Sequence, residues 1–177
     1  MIQKKVCILG AFAVGKTSLI SRFVTSLFSE DYLSTVGVKV DKKVVRVGET
    51  DFKLVLWDLA GQDDFYAIRL NYLRGASGYL LVADGTRPTT LTTAMEIQEA
   101  AARRYGRLPY VLVLNKADLG NQWGVAEPPA NRPPDGACGV LRTSAKTGEG
   151  VEEAFSLLAG QFLNDRPGLL ASRTEDA

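Results

Sequence analysis

Short apolar runs alternate with amphipathic stretches along most of the chain. The apolar runs predict six β-strands, over residues 2–9, 37–47, 51–58, 79–83, 110–114 and 139–142. Apolar residues at helical spacing predict helices within residues 19–27, 90–105 and 151–162. Strands that alternate with helices indicate an α/β fold with a mostly parallel sheet and helices on both faces.

The second and third predicted strands are separated only by residues 48–50, a connection so short that the pair must form an antiparallel hairpin. The first strand of the hairpin carries four cations, which is typical of a sheet edge. Such charges prevent edge-to-edge association, and a surface for a partner is the alternative. The cations are Lys39, Lys42, Lys43 and Arg46.

Two segments have no periodic pattern. Residues 28–35 are polar and predict an exposed loop. The segment 120–137 carries four prolines and three glycines, so we expect mostly loop, with at most one or two helical turns that start near a proline. This segment is either a tolerated surface insertion or a loop that binds a partner.

The loop between the first strand and the first helix predicts a phosphate-binding site. Residues 10–17 fit the pattern G-x-x-x-x-G-K-[ST], and a chance glycine-rich turn would not explain the flanking strand and helix. The glycines let backbone N–H groups converge on a phosphate at the helix N-terminus. We expect Lys16 to bridge the outer phosphates and the Thr17 hydroxyl to bind Mg²⁺.

Composition narrows the possible functions. A chain of 177 residues that is 46% hydrophobic suits one domain. A net charge of +1 gives no argument for a nucleic-acid partner. Two cysteines suit a reducing compartment, and the lack of histidine argues against a zinc site.

The sequence also predicts a cytoplasmic protein without a direct membrane anchor. No apolar run approaches the ~18 residues of a membrane span. Residue 2 is not glycine and no cysteine lies near residue 177, so no lipidation signal is visible.

Three further polar signatures follow apolar strands, at residues 58–62, 115–118 and 143–146. The carboxyl ends of parallel strands share one edge of a sheet, so these signatures and the phosphate-binding loop should converge on one site. Each signature alone is weak or moderate evidence for such a site, but the four signatures in this order are strong evidence.

The ordered set resembles the Ras superfamily of small GTPases, and residues 32–38 and 57–62 most resemble its Rab-type branch. The resemblance covers residues 4–162 and implies a P-loop NTPase fold. The implied sheet has six strands, five parallel and one antiparallel at the edge. A small G domain would occupy residues 1–165, followed by a short disordered tail at 166–177.

The resemblance implies that Asn115, Lys116 and Asp118 read guanine. A carboxylate accepts the N1–H and N2–H₂ donors of guanine in bidentate fashion, whereas adenine leaves it unpaired. A helix cap is the alternative role for Asp118. The full set of implied nucleotide-binding residues is Ala13, Val14, Gly15, Lys16, Thr17, Ser18, Phe28, Thr35, Gly61, Asn115, Lys116, Asp118, Ser144, Ala145 and Lys146.

For the chemistry, the resemblance implies three residues for Mg²⁺, namely Thr17, Thr35 and Asp58. It also implies that Gln62 orients the attacking water while Lys16 neutralises charge on the phosphates. No arginine lies between residues 28 and 35 to act as a finger in cis, so slow intrinsic hydrolysis is expected. Two residues depart from the usual family pattern, Phe12 in the phosphate loop and Leu59 after Asp58.

The leading hypothesis is a GTP/GDP molecular switch. The switch would respond to activating, exchange and effector proteins through residues 29–47 and 60–74. Residues 29–37 and 60–74 should relax when the γ-phosphate is lost. A GTP-bound scaffold with little hydrolysis is the alternative. An ATP-dependent kinase is a third reading, which the guanine-type signature at 115–118 argues against.

Overall fold

The computed structural model describes residues 1–29, 37–59, 70–126 and 133–164. Within these ranges the chain forms the six predicted strands and three of the predicted α-helices, while most of the segment predicted to be helical up to residue 74 lies outside the described residues. In chain order they are β1 (Ile2–Gly10), α1 (Lys16–Thr25), β2 (Val38–Val47), β3 (Thr50–Leu59), β4 (Gly78–Asp84), α2 (Pro88–Tyr105), β5 (Tyr110–Asn115), a 3₁₀ helix (Ala117–Gln122), β6 (Ala137–Arg142) and α3 (Val151–Gln161).

The six strands form one sheet in the order β2-β3-β1-β4-β5-β6. Only β2 and β3 pair in antiparallel fashion, and the four other pairings are parallel. The predicted mixed sheet with its antiparallel edge is therefore confirmed. The order reverses at β1, so the crevice for a ligand lies at the carboxyl end of β1, where the phosphate loop begins.

Each face of the sheet buries its own hydrophobic cluster. On β1, Val6 and Ile8 point to one cluster, whereas Cys7 and Leu9 point to the other. Helices α1 and α3 cover the first face, and α2 covers the second. The central strands are buried on both sides, which explains their nearly continuous apolar sequence.

Strand β2 lies at the edge of the sheet, as its cations predicted, and the periphery shows two further features. Lys43 is more than a charge on the sheet edge, because its Nζ bonds to Glu152 Oε1 at 2.5 Å and lies 3.9 Å from the centroid of the Phe23 ring. A hydrogen-bonded turn begins at Pro134, whose carbonyl accepts from the Ala137 N–H at 2.9 Å, as expected for the proline-rich segment. A 3₁₀ helix that was not predicted begins earlier, at Ala117. Residues 127–132 of that segment lie outside the described residues.

The 3₁₀ helix ends at Trp123, whose ring packs on the loop after β4. A Cβ atom at Gly85 would collide with this ring, so the close approach requires glycine. The ring also contacts the Arg142 guanidinium, whose Cζ lies 4.4 Å from the ring centroid. The 3₁₀ helix is thereby fixed against β4 and β6, beside the signature at 115–118.

Candidate nucleotide-binding site

The phosphate loop owes its shape to two glycines. Gly10 and Gly15 have φ values of 150° and 100°, a region that favours glycine. A Cβ atom at Gly10 would collide with the Val82 carbonyl, and one at Gly15 would collide with the Asn115 side chain. The loop therefore curls tightly against β4 and β5, which aims its backbone N–H groups inward.

Lys16 begins α1 and lies inside the curl of the loop. Its side chain is buried, and its Nζ donates to the carbonyls of Gly10 at 2.9 Å and Ala11 at 2.7 Å. A buried ammonium requires such partners. The positive charge is thus fixed where a phosphate would meet the N-terminus of α1.

Thr17 and Asp58 meet beside Lys16. Asp58 is buried near the carboxyl end of β3, opposite Ile8 of β1, and its Oδ2 accepts a hydrogen bond of 2.6 Å from Thr17 Oγ1. The hydroxyl donates in this bond, so its lone pairs remain suited to a cation. Two oxygen-bearing side chains at this spot fit Mg²⁺, which prefers oxygen ligands.

Asn115 joins the phosphate loop to the segment 143–146. Its Nδ2 donates to the Val14 carbonyl at 2.9 Å. Its Oδ1 accepts from Thr143 Oγ1 at 3.0 Å and from the Ala145 backbone N–H at 3.3 Å. The side chain is buried, so all of these bonds are sheltered from water.

Asp118 is oriented by Ser144. Ser144 Oγ donates to Asp118 Oδ1 at 2.6 Å and accepts from the Thr147 N–H at 3.0 Å. The carboxylate is therefore held by a neighbouring segment that also carries Ala145. The structure links Asn115 to Ala145 and Asp118 to Ser144, so these four residues lie close together.

Asp84, at the end of β4, is a residue that the sequence analysis missed. Its Oδ2 accepts from Lys116 Nζ at 2.7 Å and from Arg87 Nε at 2.9 Å, and its Oδ1 accepts from Thr86. Burial alone would raise the pKa of Asp84, but the hydrogen bonds from Lys116, Thr86 and Arg87 outweigh burial and lower it. Asp84 therefore stays ionised and fixes Lys116.

Arg87 extends this cluster to the phosphate loop, because its Nη2 donates to the Phe12 carbonyl at 2.9 Å. The Phe12 side chain is 39% exposed.

Leu59, the other departure from the family pattern, is buried in the cluster under α2. Leu59 therefore contributes to the hydrophobic core on that face of the sheet.

Arg22 on α1 is a second residue that the analysis missed. Its Nε donates to the Ala145 carbonyl at 2.8 Å, and its Nη2 donates to the Lys146 carbonyl. Its Nη1 donates to the Ser26 carbonyl at 2.8 Å. These acceptors are backbone atoms, so no sequence motif marks them.

The remaining predicted residues divide into two groups. Phe28 is half-buried and packs against the cluster under α1 and α3, and Ser18 lies half-buried in the first turn of α1. Thr35, Gly61 and Gln62 lie outside the described residues, as do most of the segments 29–37 and 60–74.

The fold and the phosphate loop define a P-loop nucleotide-binding protein. Residues 5–164 match the model of the Ras family. Rab-4B of Homo sapiens is 37% identical over 162 residues, which cover 90% of this chain and 76% of the relative. Rab-7L1 of Rattus norvegicus is 33% identical over 180 residues, which cover 97% of this chain and 88% of the relative. Rab-1 of Theileria parva is 34% identical over 158 residues, which cover 88% of this chain and 72% of the relative.

The chain belongs to the Ras family and is a Rab-like small GTPase, a GTP/GDP switch. Members of this family bind guanine nucleotides and generally Mg²⁺. Nothing in the comparisons favours the scaffold alternative. In the described part of the chain, no helix is long and apolar enough to cross a membrane.

Proposed function

We propose that this chain binds GTP and GDP with Mg²⁺ at the carboxyl edge of its sheet, hydrolyses GTP slowly, and exchanges protein partners between the two states. One observation carries the proposal. The Asn115 side chain bonds to both the phosphate loop and the segment 143–146, so the phosphate-binding and base-reading motifs belong to one site.

The phosphate half of the site consists of Ala13 to Ser18 with Thr35 and Gly61. Thr17, Thr35 and Asp58 would hold Mg²⁺, and the 2.6 Å bond between Thr17 and Asp58 supports this assignment. When bound, the metal would supply positive charge to the phosphate oxygens. Lys16 adds a second positive charge from within the curl of the loop.

Gln62 is proposed to orient the water that attacks the γ-phosphate. The chain offers no arginine between residues 28 and 35 to stabilise the transition state in cis. Slow intrinsic turnover and acceleration by an activating protein follow from that composition.

The base half uses Asp118 as the acceptor for guanine and the Ala145 N–H as the donor to O6. Lys116 and Phe28 flank the base, and Ser144 and Lys146 complete the loop. The bond from Ser144 to Asp118 and the ion pair from Lys116 to Asp84 support this arrangement, because each fixes a residue before the ligand arrives.

Regulators and effectors would bind through residues 29–47 and 60–74. On the described part of this surface, β2 exposes Val40 and Val44 by 43% and 51%, and Val40 pairs with Trp57 of β3. Exposed apolar side chains on an edge strand suit a protein partner. We place the protein in the cytoplasm without a nucleic-acid partner, which its free cysteines and balanced charge support.

The test is to identify the nucleotide released when the purified protein is denatured. We expect GDP or GTP in a ratio near one per chain, and an adenine nucleotide would overturn the proposal. Chelation of Mg²⁺ should accelerate release of GDP. In Thr17→Val, which removes the hydroxyl but keeps the shape, chelation should make a smaller difference.

A further inference from the structure

We infer that Arg22 is a positioning residue that sets both the lifetime of bound guanine nucleotide and its selection over hypoxanthine nucleotides. The inference rests on the proposed function, since it concerns the base half of that site. Its starting observation is that one guanidinium donates to backbone carbonyls in two segments, at Ser26 and at residues 145–146.

The peptide groups around Ala145 are fixed from two sides. The N–H of Ala145 bonds to Asn115 Oδ1 at 3.3 Å, and its carbonyl accepts from Arg22 Nε at 2.8 Å. This N–H is the donor proposed for O6 of guanine. Arg22 therefore holds the peptide group next to the one that carries this N–H, while Asn115 holds the N–H itself.

Arg22 also restrains the other boundary of the base pocket. Its Nη1 bonds to the carbonyl of Ser26, the residue that ends α1 in a left-handed conformation, with φ at 59°. Phe28, which would pack across the base, lies only two residues further on. A single side chain thus holds both the segment that leads to Phe28 and the segment that carries Ala145.

The same contact connects the base pocket to the phosphate loop. Arg22 and Lys16 belong to one helix, and the stem of Arg22 lies beside Gly148, where an added Cβ atom would be 3.7 Å from Arg22 Cδ. The segment 144–148 is therefore bound to the helix that begins at the phosphates. Loss of this link should free the segment without removing any group that touches the nucleotide.

The chemistry of arginine suits this task better than that of lysine. The planar guanidinium presents donors in a fixed fork, which matches the adjacent carbonyls of residues 145 and 146. An ammonium group on a flexible stem would reach one carbonyl at a time. Arg22→Lys should therefore retain part of the function.

The experiment measures release of a fluorescent GDP analogue from the full chain into excess GDP with Mg²⁺. We expect release to be about tenfold faster for Arg22→Ala and about threefold faster for Arg22→Lys, from the usual contribution of charge-assisted hydrogen bonds. Arg103→Ala is the matched control, because Arg103 is exposed on α2 and pairs with Glu99 there. Its release rate should equal that of the unmodified chain.

A second measurement separates positioning from general loosening. Ser144, in the segment that Arg22 holds, orients Asp118, which would accept the N2–H₂ of GDP that inosine diphosphate lacks. The preference for GDP over inosine diphosphate should therefore fall about threefold in Arg22→Ala. A general loss of stability would weaken both ligands equally and leave this preference unchanged.

Each outcome decides the inference. Unchanged release from Arg22→Ala, or faster release with an unchanged preference, would overturn it while leaving the proposed function intact. If Arg22→Ala does not fold, Arg22→Lys decides by the same two measurements. Failure of the unmodified chain to bind GDP would overturn the proposed function, and this inference with it.

Discussion

On the base side of the site, side chains from separate segments bond to one another, whereas on the phosphate side much of the shape comes from the backbone itself. Asn115, Asp118 and Arg22 each bond to residues more than twenty positions away. In the phosphate loop, positive φ values and the bonds from Lys16 to nearby carbonyls define the shape.

This difference indicates which property a substitution changes. A side-chain network selects the base, so its loss should change affinity and selectivity. A backbone cradle binds any phosphate chain, so the rate of reaction should depend on the few side chains added to it, of which we propose Gln62 as the main one. The following substitutions test this division, from the largest expected effect to the smallest.

Gln62→Leu should slow single-turnover hydrolysis about a hundredfold while leaving GTP affinity almost intact, because the amide is proposed to act in the transition state. The measurement is phosphate release after rapid mixing with GTP and Mg²⁺. Gln122→Leu, on the exposed 3₁₀ helix, is the control. An equal rate in Gln62→Leu would move the protein to the scaffold class.

Asp118→Asn should weaken GTP binding by about 1.5–3 kcal/mol, the value of a charge-assisted hydrogen bond, and favour xanthosine triphosphate. Titration calorimetry with both nucleotides measures the change. The substituted residue keeps an oxygen to accept from Ser144, so the fold should be unaffected. Asp135→Asn, at an exposed carboxylate, is the control, and unchanged GTP affinity in Asp118→Asn would refute its role.

Asp84→Asn should lower the free energy of unfolding by about 1–2 kcal/mol at neutral pH, because Lys116 and Arg87 lose a charged acceptor. The folded pKa of Asp84 lies below its ordinary value of 3.8, so the carboxylate stabilises the fold above about pH 4. This contribution is lost as the pH falls through the folded pKa. Urea unfolding at several pH values should show the two proteins converging in acid, and a constant difference would contradict the ion-pair account.

Phe12→Gly should raise the rate of intrinsic GTP hydrolysis a few-fold, or increase the response to an activating protein. The ring lies in the loop that an arginine of the activating protein would approach. The bond from Arg87 uses the Phe12 carbonyl and survives the substitution. Ile2→Gly is the control, at a similarly exposed residue at the far end of β1. If the unmodified chain and Phe12→Gly hydrolyse GTP at the same rate, both in the presence and in the absence of the activating protein, the ring plays no part in hydrolysis.

The sequence predicted the sheet and the convergence of the motifs, because buried strands are nearly continuous apolar runs and their carboxyl ends share one edge. The places of Asn115 and Ser144 were predictable for a similar reason. Each lies at or just beyond the carboxyl end of a strand, so its place follows from the topology. The 3₁₀ helix was missed because its sequence has no period, and it follows Lys116 in a left-handed conformation.

Asp84, Arg87 and Arg22 were not predictable in the same way. Arg22 and Arg87 bond to carbonyls 123 and 75 positions away, and any residue type supplies a carbonyl. Such contacts depend on how helices and loops meet in space. They leave no local pattern in the sequence.

The packing of Trp123 on Gly85 affects the fluorescence of the protein. The chain has two tryptophans, and the other, Trp57, directly precedes Asp58 on β3, beside the Lys5 ammonium and the Tyr72 ring. One indole thus lies next to each half of the site. In Trp57→Phe the remaining emission comes from Trp123, whose surroundings at Gly85 and Arg142 would make its wavelength a reporter of movements of the 3₁₀ helix that carries Asp118.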